Sequence, residues 1–135
     1  MISRPSLIKY KDLIEKYPEL LGNIEGPPVE QGWNNILDQI CSTIECQIKI
    51  NGVTRPKVLR IKEKYGTLCF YYRWIKIPPV LLRREIEDTI SMIEYTSNHI
   101  CERCGRPGEL RDGAWIKTLC DFCETNEILQ GKRCL

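Results

Sequence analysis

Four cysteines carry the clearest chemistry in this chain: Cys101-x-x-Cys104, fifteen intervening residues, then Cys120-x-x-Cys123. Two C-x-x-C pairs at that separation form a zinc-site pattern. Zinc takes four soft ligands in a tetrahedron, and four thiolates leave no position open for water or substrate. The expected cofactor is therefore one structural Zn2+ held by Cys101, Cys104, Cys120 and Cys123. Such an ion holds a shape and activates no water. Iron also fits four thiolates, though zinc is the expected occupant. Two disulfides would need an oxidising compartment, and a redox C-x-x-C would need a βαβ setting that neither pair has. His99, the only histidine, lies two residues before Cys101 and reads as a helix-end or surface residue rather than a fifth candidate ligand.

The neighbours of the cysteines give them a scaffold. Cys101-Glu102-Arg103-Cys104-Gly105 reads as a zinc knuckle, with Gly105 taking the tight turn after the second sulfur. Gly108 to Leu119 reads as a short β-hairpin with Asp112-Gly113 at its turn. Asp121 to Gln130 reads as a helix closed by Gly131. Knuckle, hairpin and helix in that order resemble a treble-clef zinc finger.

Elsewhere, catalytic groups are sparse. A Ser-His-Asp or Cys-His arrangement would have to use His99, and there is no G-x-S-x-G, P-loop or dinucleotide fingerprint. The acidic pair Glu85 and Asp88 reads as the solvated face of a helix. A non-enzymatic role with no small-molecule substrate is expected. The net charge of +2 conceals an uneven distribution. Residues 55–84 balance at +8, residues 85–100 at −4 and residues 1–54 at −2, while residues 101–135 are neutral before any metal binds. Arg55, Lys57, Arg60, Lys62, Lys64, Arg73 and Lys76 lie among Tyr65, Tyr71, Tyr72 and Trp74. Such a surface suits an acidic protein partner or nucleic acid, because cations meet carboxylates or phosphates and aromatic faces anchor or stack. A half-exposed sheet charged for solubility would look the same. Arg60, Lys62, Lys64, Tyr71, Arg73 and Trp74 are the candidate partner-binding residues.

The elements that must position these residues follow from periodicity. Residues 6–21 and Trp33 to Ile44 read as helices, separated by a loop containing Gly26-Pro27-Pro28. Cys46 to Ile50 alternates as a strand does, and Asn51-Gly52 follows as a hairpin signal. Lys57 to Lys64 reads as a second strand with Leu59 and Ile61 inward. Thr67 to Trp74 reads as a third, with Leu68, Phe70, Tyr72 and Trp74 on one face. Val80 to Asn98 reads as a long helix burying Leu82, Ile86, Ile90 and Ile93. The expected fold is α+β: a three-stranded antiparallel meander packed by helices, with the C-terminal treble-clef-like finger. One domain is expected over 1–135, with an α+β body over 1–98 and the zinc-finger subdomain, 99–135, docked on it. Cys41, Cys46 and Cys69 read as small core residues, and Cys134 as an exposed one.

Lys64-Tyr65-Gly66-Thr67-Leu68-Cys69-Phe70-Tyr71 resembles the K-[FY]-G-x-L-x-F-Y hairpin of small uncharacterised bacterial and prophage proteins. In these, a helix leads to segments like Ile100 to Gly108 and Gly113 to Cys120. The likeness spans about residues 56–123. It implies a setting among mobile elements and bacterial conflict systems, and no established activity. The N-terminus has no continuous apolar run, so neither an export signal nor a membrane span is expected, and a reducing cytoplasm suits eight cysteines. The leading expectation is a zinc-stabilised protein-binding module, an immunity protein or inhibitor of a cytoplasmic toxin or defence enzyme. A nucleic-acid-binding protein using residues 55–76 is the alternative, and a structural subunit or assembly factor the third.

Overall fold

The computed structural model describes residues 5–133. Cys134 lies outside the described residues. Among the described residues the fold is mixed α+β, with five α-helices and two small antiparallel sheets of two strands each. The N-terminal helical pattern is divided in two: α1 (Tyr10–Lys16) and α2 (Pro18–Leu21). Pro18 causes the division, since it has no N–H to continue a helix but suits the first position of a new one. Residues 5–9 lie outside any helix, and Lys9 is extended. Asn35 Oδ1 accepts the Ile8 N–H at 2.9 Å, and Asn34 Nδ2 donates to the Ile8 carbonyl at 2.8 Å. Two adjacent side chains thus satisfy the backbone that a helix would otherwise satisfy.

The principal correction concerns residues 46–50. They belong to α3 (Asn34–Asn51), so the three-stranded meander is absent and its first strand is the end of a helix. Ile48 fits both readings. It alternates with Cys46 and Ile50, and it also lies four residues after Ile44, on the buried stripe of Ile36, Leu37, Ile40, Cys41 and Ile44. Burial of that stripe decides for the helix, and Cys46 and Ile50 fall on its solvent side. Cys46 is therefore not a core residue. Asn51-Gly52 is the helix stop: Gly52 takes φ 65° and its N–H reaches the Ile48 carbonyl at 3.0 Å. A hairpin and a helix terminus both ask for glycine at positive φ, and the signal did not distinguish them.

The first sheet pairs β1 (Lys57–Lys64) with β2 (Thr67–Arg73). Tyr65 and Gly66 both hold positive φ (52° and 80°), the two-residue turn whose twist matches the strands. The register shifts between Val58 and Arg60. This bulge leaves Leu59 as the extra residue, 49% exposed rather than inward, and gives the inner positions to Val58 and Ile61. Leu68 and Phe70 are buried beside them. Tyr72 and Trp74 extend the same inner face, each ring packing on the next at 5.9 and 5.7 Å.

Helix α4 (Val80–Thr96) lies against α3 and β2, buries Ile86 and Ile90, and half-buries Leu82 and Ile93. A 3₁₀ turn, Ser97–His99, ends it. Its C-terminal part also closes the free edge of β2. Ser97 Oγ accepts the Leu68 N–H at 2.9 Å, and Glu94 Oε2 accepts the Phe70 N–H at 2.8 Å. An open strand edge is an aggregation template, and these two side chains occupy its donors. The second sheet, β3 (Glu109–Arg111) and β4 (Lys117–Leu119), leads into α5 (Asp121–Leu129), in the order expected of the finger.

Burial holds the Glu94 carboxyl above its ordinary value of 4.5, against the opposing pull of the Phe70 N–H. The folded state therefore binds this proton more tightly than the unfolded state does. The group's contribution favours folding most fully below the unfolded value and is lost as pH rises through the folded one. Glu94→Gln should raise the denaturation midpoint at pH 7 and flatten the pH dependence from 4.5 upward. Glu94→Ala should instead lower stability by about 1–3 kcal/mol, because it strands the Phe70 donor. Urea titrations at several pH values measure both.

Candidate metal centre and basic sheet face

The knuckle is built by backbone geometry. Cys101 N donates to the Arg106 carbonyl at 2.7 Å, and Gly105 N to the Cys101 carbonyl at 2.9 Å. Ile100 and Pro107 form an isolated bridge, so the chain doubles back around the first two sulfurs. The second pair opens a helix: Cys120 is the N-cap of α5, and its Sγ accepts the Cys123 N–H at 3.4 Å. All four residues are buried, and their sulfurs lie within 4.8 Å of one another, with Cys104 and Cys120 at 3.6 Å. A tetrahedron with metal–sulfur bonds of about 2.3 Å has edges of about 3.8 Å. The four cysteines thus fit one metal ion with a soft, four-thiolate donor set. His99 is exposed, stacks edge-on against Tyr95 at 5.3 Å and has no place among them.

The electrostatics of the cluster ask for a cation. Burial pushes the Cys101 and Cys123 thiols up. Burial also opposes ionisation of Cys120, but the Cys123 N–H and the neighbouring thiols outweigh it and bring that thiol to about 7. Four sulfurs this close cannot all ionise without a positive charge between them, and a bound divalent ion supplies it. Of the other cysteines, Cys41 is buried among apolar side chains and raised to about 12, which suits an inert core residue. Cys69 is only half-buried, on the outer face of β2 opposite Lys62.

The finger is tied to the body on two sides. Gly32 N donates to the Glu102 carbonyl at 2.8 Å, and the fully buried Trp33 donates through Nε1 to the Ile100 carbonyl at 2.9 Å. A Cβ at Gly32 would collide with the backbone of Cys101 and Glu102, so only glycine admits this approach. From the other side, Thr118 Oγ1 donates to the Gly66 carbonyl at 2.6 Å and Asn98 Nδ2 to the same oxygen at 3.1 Å.

Glu127, absent from the sequence-based candidates, is the ionic centre of the finger. It is 2% exposed and meets Arg103 at 2.6 Å, Lys117 at 3.3 Å and Arg133 at 4.0 Å. Its only signal in the sequence is its place four residues after Cys123, on the buried side of α5. Glu102 is buried as well. Burial, then the nearby Glu63 and Glu30, push its carboxyl up to about 7 against the Thr118 N–H that it accepts at 3.1 Å.

The candidate partner-binding residues divide. The pairing sets Lys57 opposite Arg73, Arg60 opposite Tyr71, Lys62 opposite Cys69 and Lys64 opposite Thr67. Directly opposed residues share a face, so five cations and Tyr71 stand on the outer side of the hairpin, with no carboxylate among these pairs. Arg60 lies over the Tyr71 ring at 5.7 Å. Trp74 does not join them. It belongs to the inner face, where Nε1 donates to Glu87 Oε2 at 2.9 Å. Alternation alone assigns Trp74 to the phase of Leu68, Phe70 and Tyr72 and opposite to that of Arg73. Arg55 also stands apart, paired with Glu45 at 2.7 Å and with Glu19. Among the described residues, no helix is long and apolar enough to cross a membrane.

Comparison of the chain with models of protein families, with curated proteins and with solved structures finds no match.

Elemental analysis should find one metal ion per chain, lost in Cys104→Ser and Cys120→Ser and retained in Cys41→Ser and Cys46→Ser. Chelation should lower the thermal midpoint, and acid should release the metal as protons compete for the thiolates. Glu127→Ala should destabilise the fold by about 1–3 kcal/mol by removing the buried acceptor of Arg103 and Lys117, read as a shift in the denaturation midpoint.

Proposed function

We propose that this chain is a non-enzymatic, zinc-stabilised protein-binding module that neutralises a cytoplasmic toxin or defence enzyme by occupying an acidic surface on it. The four thiolates hold one structural Zn2+. Its role is to fix the knuckle and α5, and with them β4, whose Thr118 holds the β1–β2 hairpin at Gly66. The observation that carries the reading is the outer face of β1 and β2. Lys57, Arg60, Lys62, Lys64 and Arg73 share it with Tyr71, while the helices cover the opposite face. Arginine and tyrosine at the centre of such a face are favoured anchors for a protein partner. A field of one sign speeds encounter with an acidic surface and discourages basic ones. Trp74, which the sequence placed with these anchors, is excluded from the face by its packing.

The same face supports a second reading, in which the cations contact phosphates and Tyr71 stacks a base. The neutral balance of residues 101–135 weighs against it, since a nucleic-acid surface draws on charge spread over the whole domain. The two readings diverge in their response to nuclease and salt. Affinity capture from host lysate, with and without nuclease, should retain one stoichiometric protein partner. Arg60→Glu with Arg73→Glu should weaken that complex by about a hundredfold or more, as two reversed charges at an interface centre cost several kcal/mol, with metal content and thermal midpoint unchanged. Capture lost on nuclease treatment would transfer the face to nucleic acid. Unchanged affinity in the double variant would remove the face from function.

A further inference from the structure

A cleft of about 1140 Å³ lies where the finger meets the body. Its walls come from the start of α1, the loop before α3, the β1–β2 turn, the knuckle and the tip of the β3–β4 hairpin. Ligand sites occur at such junctions, and this one lies just above their usual range of about 300–1,000 Å³. It is separate from the outer face of the hairpin, sharing with it only Lys64.

Its polar groups fall into three kinds. Asn34 lines the cleft, is 2% exposed, and its Oδ1 accepts no hydrogen bond from the described residues, although Nδ2 is committed to Ile8. The buried Tyr10 hydroxyl, on the same cleft, likewise lacks a partner among them. Buried polar atoms are ordinarily satisfied, so two orphans lining one cleft point to a group supplied from outside. Glu102 adds a buried carboxylate, of which Oε2 holds the Thr118 N–H. The second kind is aromatic: Trp115 is 73% exposed and Tyr65 69% exposed, an unusual position for large rings unless they have something to stack on. The third is cationic. Arg103 pairs with Glu127 and Glu30 and Lys117 with Glu127, and Glu63 also lines the cleft, whereas Lys9 and Lys64 are exposed and have no ion pair among the described residues.

We propose that this cleft binds a guanine nucleotide. Buried acceptors need a ligand rich in N–H donors. The guanine edge presents N1–H and the N2 amino group side by side, which matches a carboxylate and an amide oxygen. The Tyr10 hydroxyl, which can donate, suits the O6 acceptor beside them. Adenine offers one amino group flanked by acceptors, and the acceptors of the cleft would face its ring nitrogens. The rings of Trp115 and Tyr65 provide stacking faces, and Lys9 and Lys64 provide positive charge for the phosphate. A guanidinium ligand, such as an arginine side chain, would satisfy the acceptors and the rings, but the two lysines would repel it. A ligand that carries donors at one end and an anion at the other answers both the buried acceptors and the two unpaired lysines.

The test is titration of the metal-loaded full chain by calorimetry with GMP, guanosine, AMP and agmatine. GMP should bind one molecule per chain, and AMP should bind at least about tenfold more weakly, as expected when a site built around hydrogen bonds is offered the wrong edge. Guanosine should bind several-fold more weakly than GMP. Trp115→Ala should cost about tenfold or more, given that stacking contributes roughly 1–3 kcal/mol per base, with metal content and thermal midpoint unchanged. Lys9→Ala with Lys64→Ala should bring GMP to the level of guanosine. Absence of GMP binding at millimolar concentration overturns the proposal. So does equal affinity for AMP, tighter binding of agmatine than of GMP, or an unaffected Trp115→Ala variant.

Discussion

Four buried sulfur atoms within 4.8 Å of one another constrain everything C-terminal of α4. Without a cation between them their ionisation is mutually opposed; a divalent ion at the centre would attract all four thiolates and so close the knuckle on α5. The finger is small, and among its described residues its buried apolar cluster is little more than Leu119 and the cysteines themselves. A core of that size does not hold a chain segment folded alone. Its remaining order comes from the ion pairs of Glu127, from those of Arg111 with Glu109, Asp121 and Glu124, and from hydrogen bonds to the body.

Apart from the bond from the Trp33 side chain to Ile100, those hydrogen bonds run through backbone atoms of two glycines. Gly32 brings the N-terminal loop against the knuckle, and Gly66 brings the hairpin turn against β4 and the end of α4. The cysteine cluster therefore fixes more than the finger. It sets where the turn of the β1–β2 hairpin sits, and hence how the hairpin's outer face is presented. The side chains of Ser97 and Glu94 complete the arrangement by taking the free N–H groups of β2. A two-stranded hairpin is marginal on its own. Here its inner face is packed by helices, one edge is capped and its turn is held.

This division of labour separates the two surfaces discussed above. The outer face of the hairpin is a feature of local sequence, five cations placed by strand alternation and one bulge. The cleft belongs to no single element. Asn34, Glu102, Tyr65 and Trp115 come from four distant stretches of chain and meet only because the finger is docked. A metal that stabilises the finger would thus be required for the cleft and much less for the charge pattern of the strands.

The sequence by itself determined what depends on near neighbours. The four ligand candidates, the knuckle, the β3–β4 hairpin, α5 and the turn at Tyr65-Gly66 all follow from spacing and from glycine positions within a few residues. It also determined that Leu68, Phe70, Tyr72 and Trp74 share one side of β2, because alternation is a property of the strand alone. Tertiary structure decided what local pattern leaves degenerate. Ile48 satisfies a strand period and a helix period equally, and burial of the α3 stripe, packed against α4 and α1, selected the helix. Leu59 and Val58 are both apolar, and the bulge, visible only in the pairing with β2, chose which faces inward. Glu127 reads as one more charged helix residue until Arg103, Lys117 and Arg133 surround it. The energies that settle these choices come from residues distant in the chain, and a sequence records them only as separate letters.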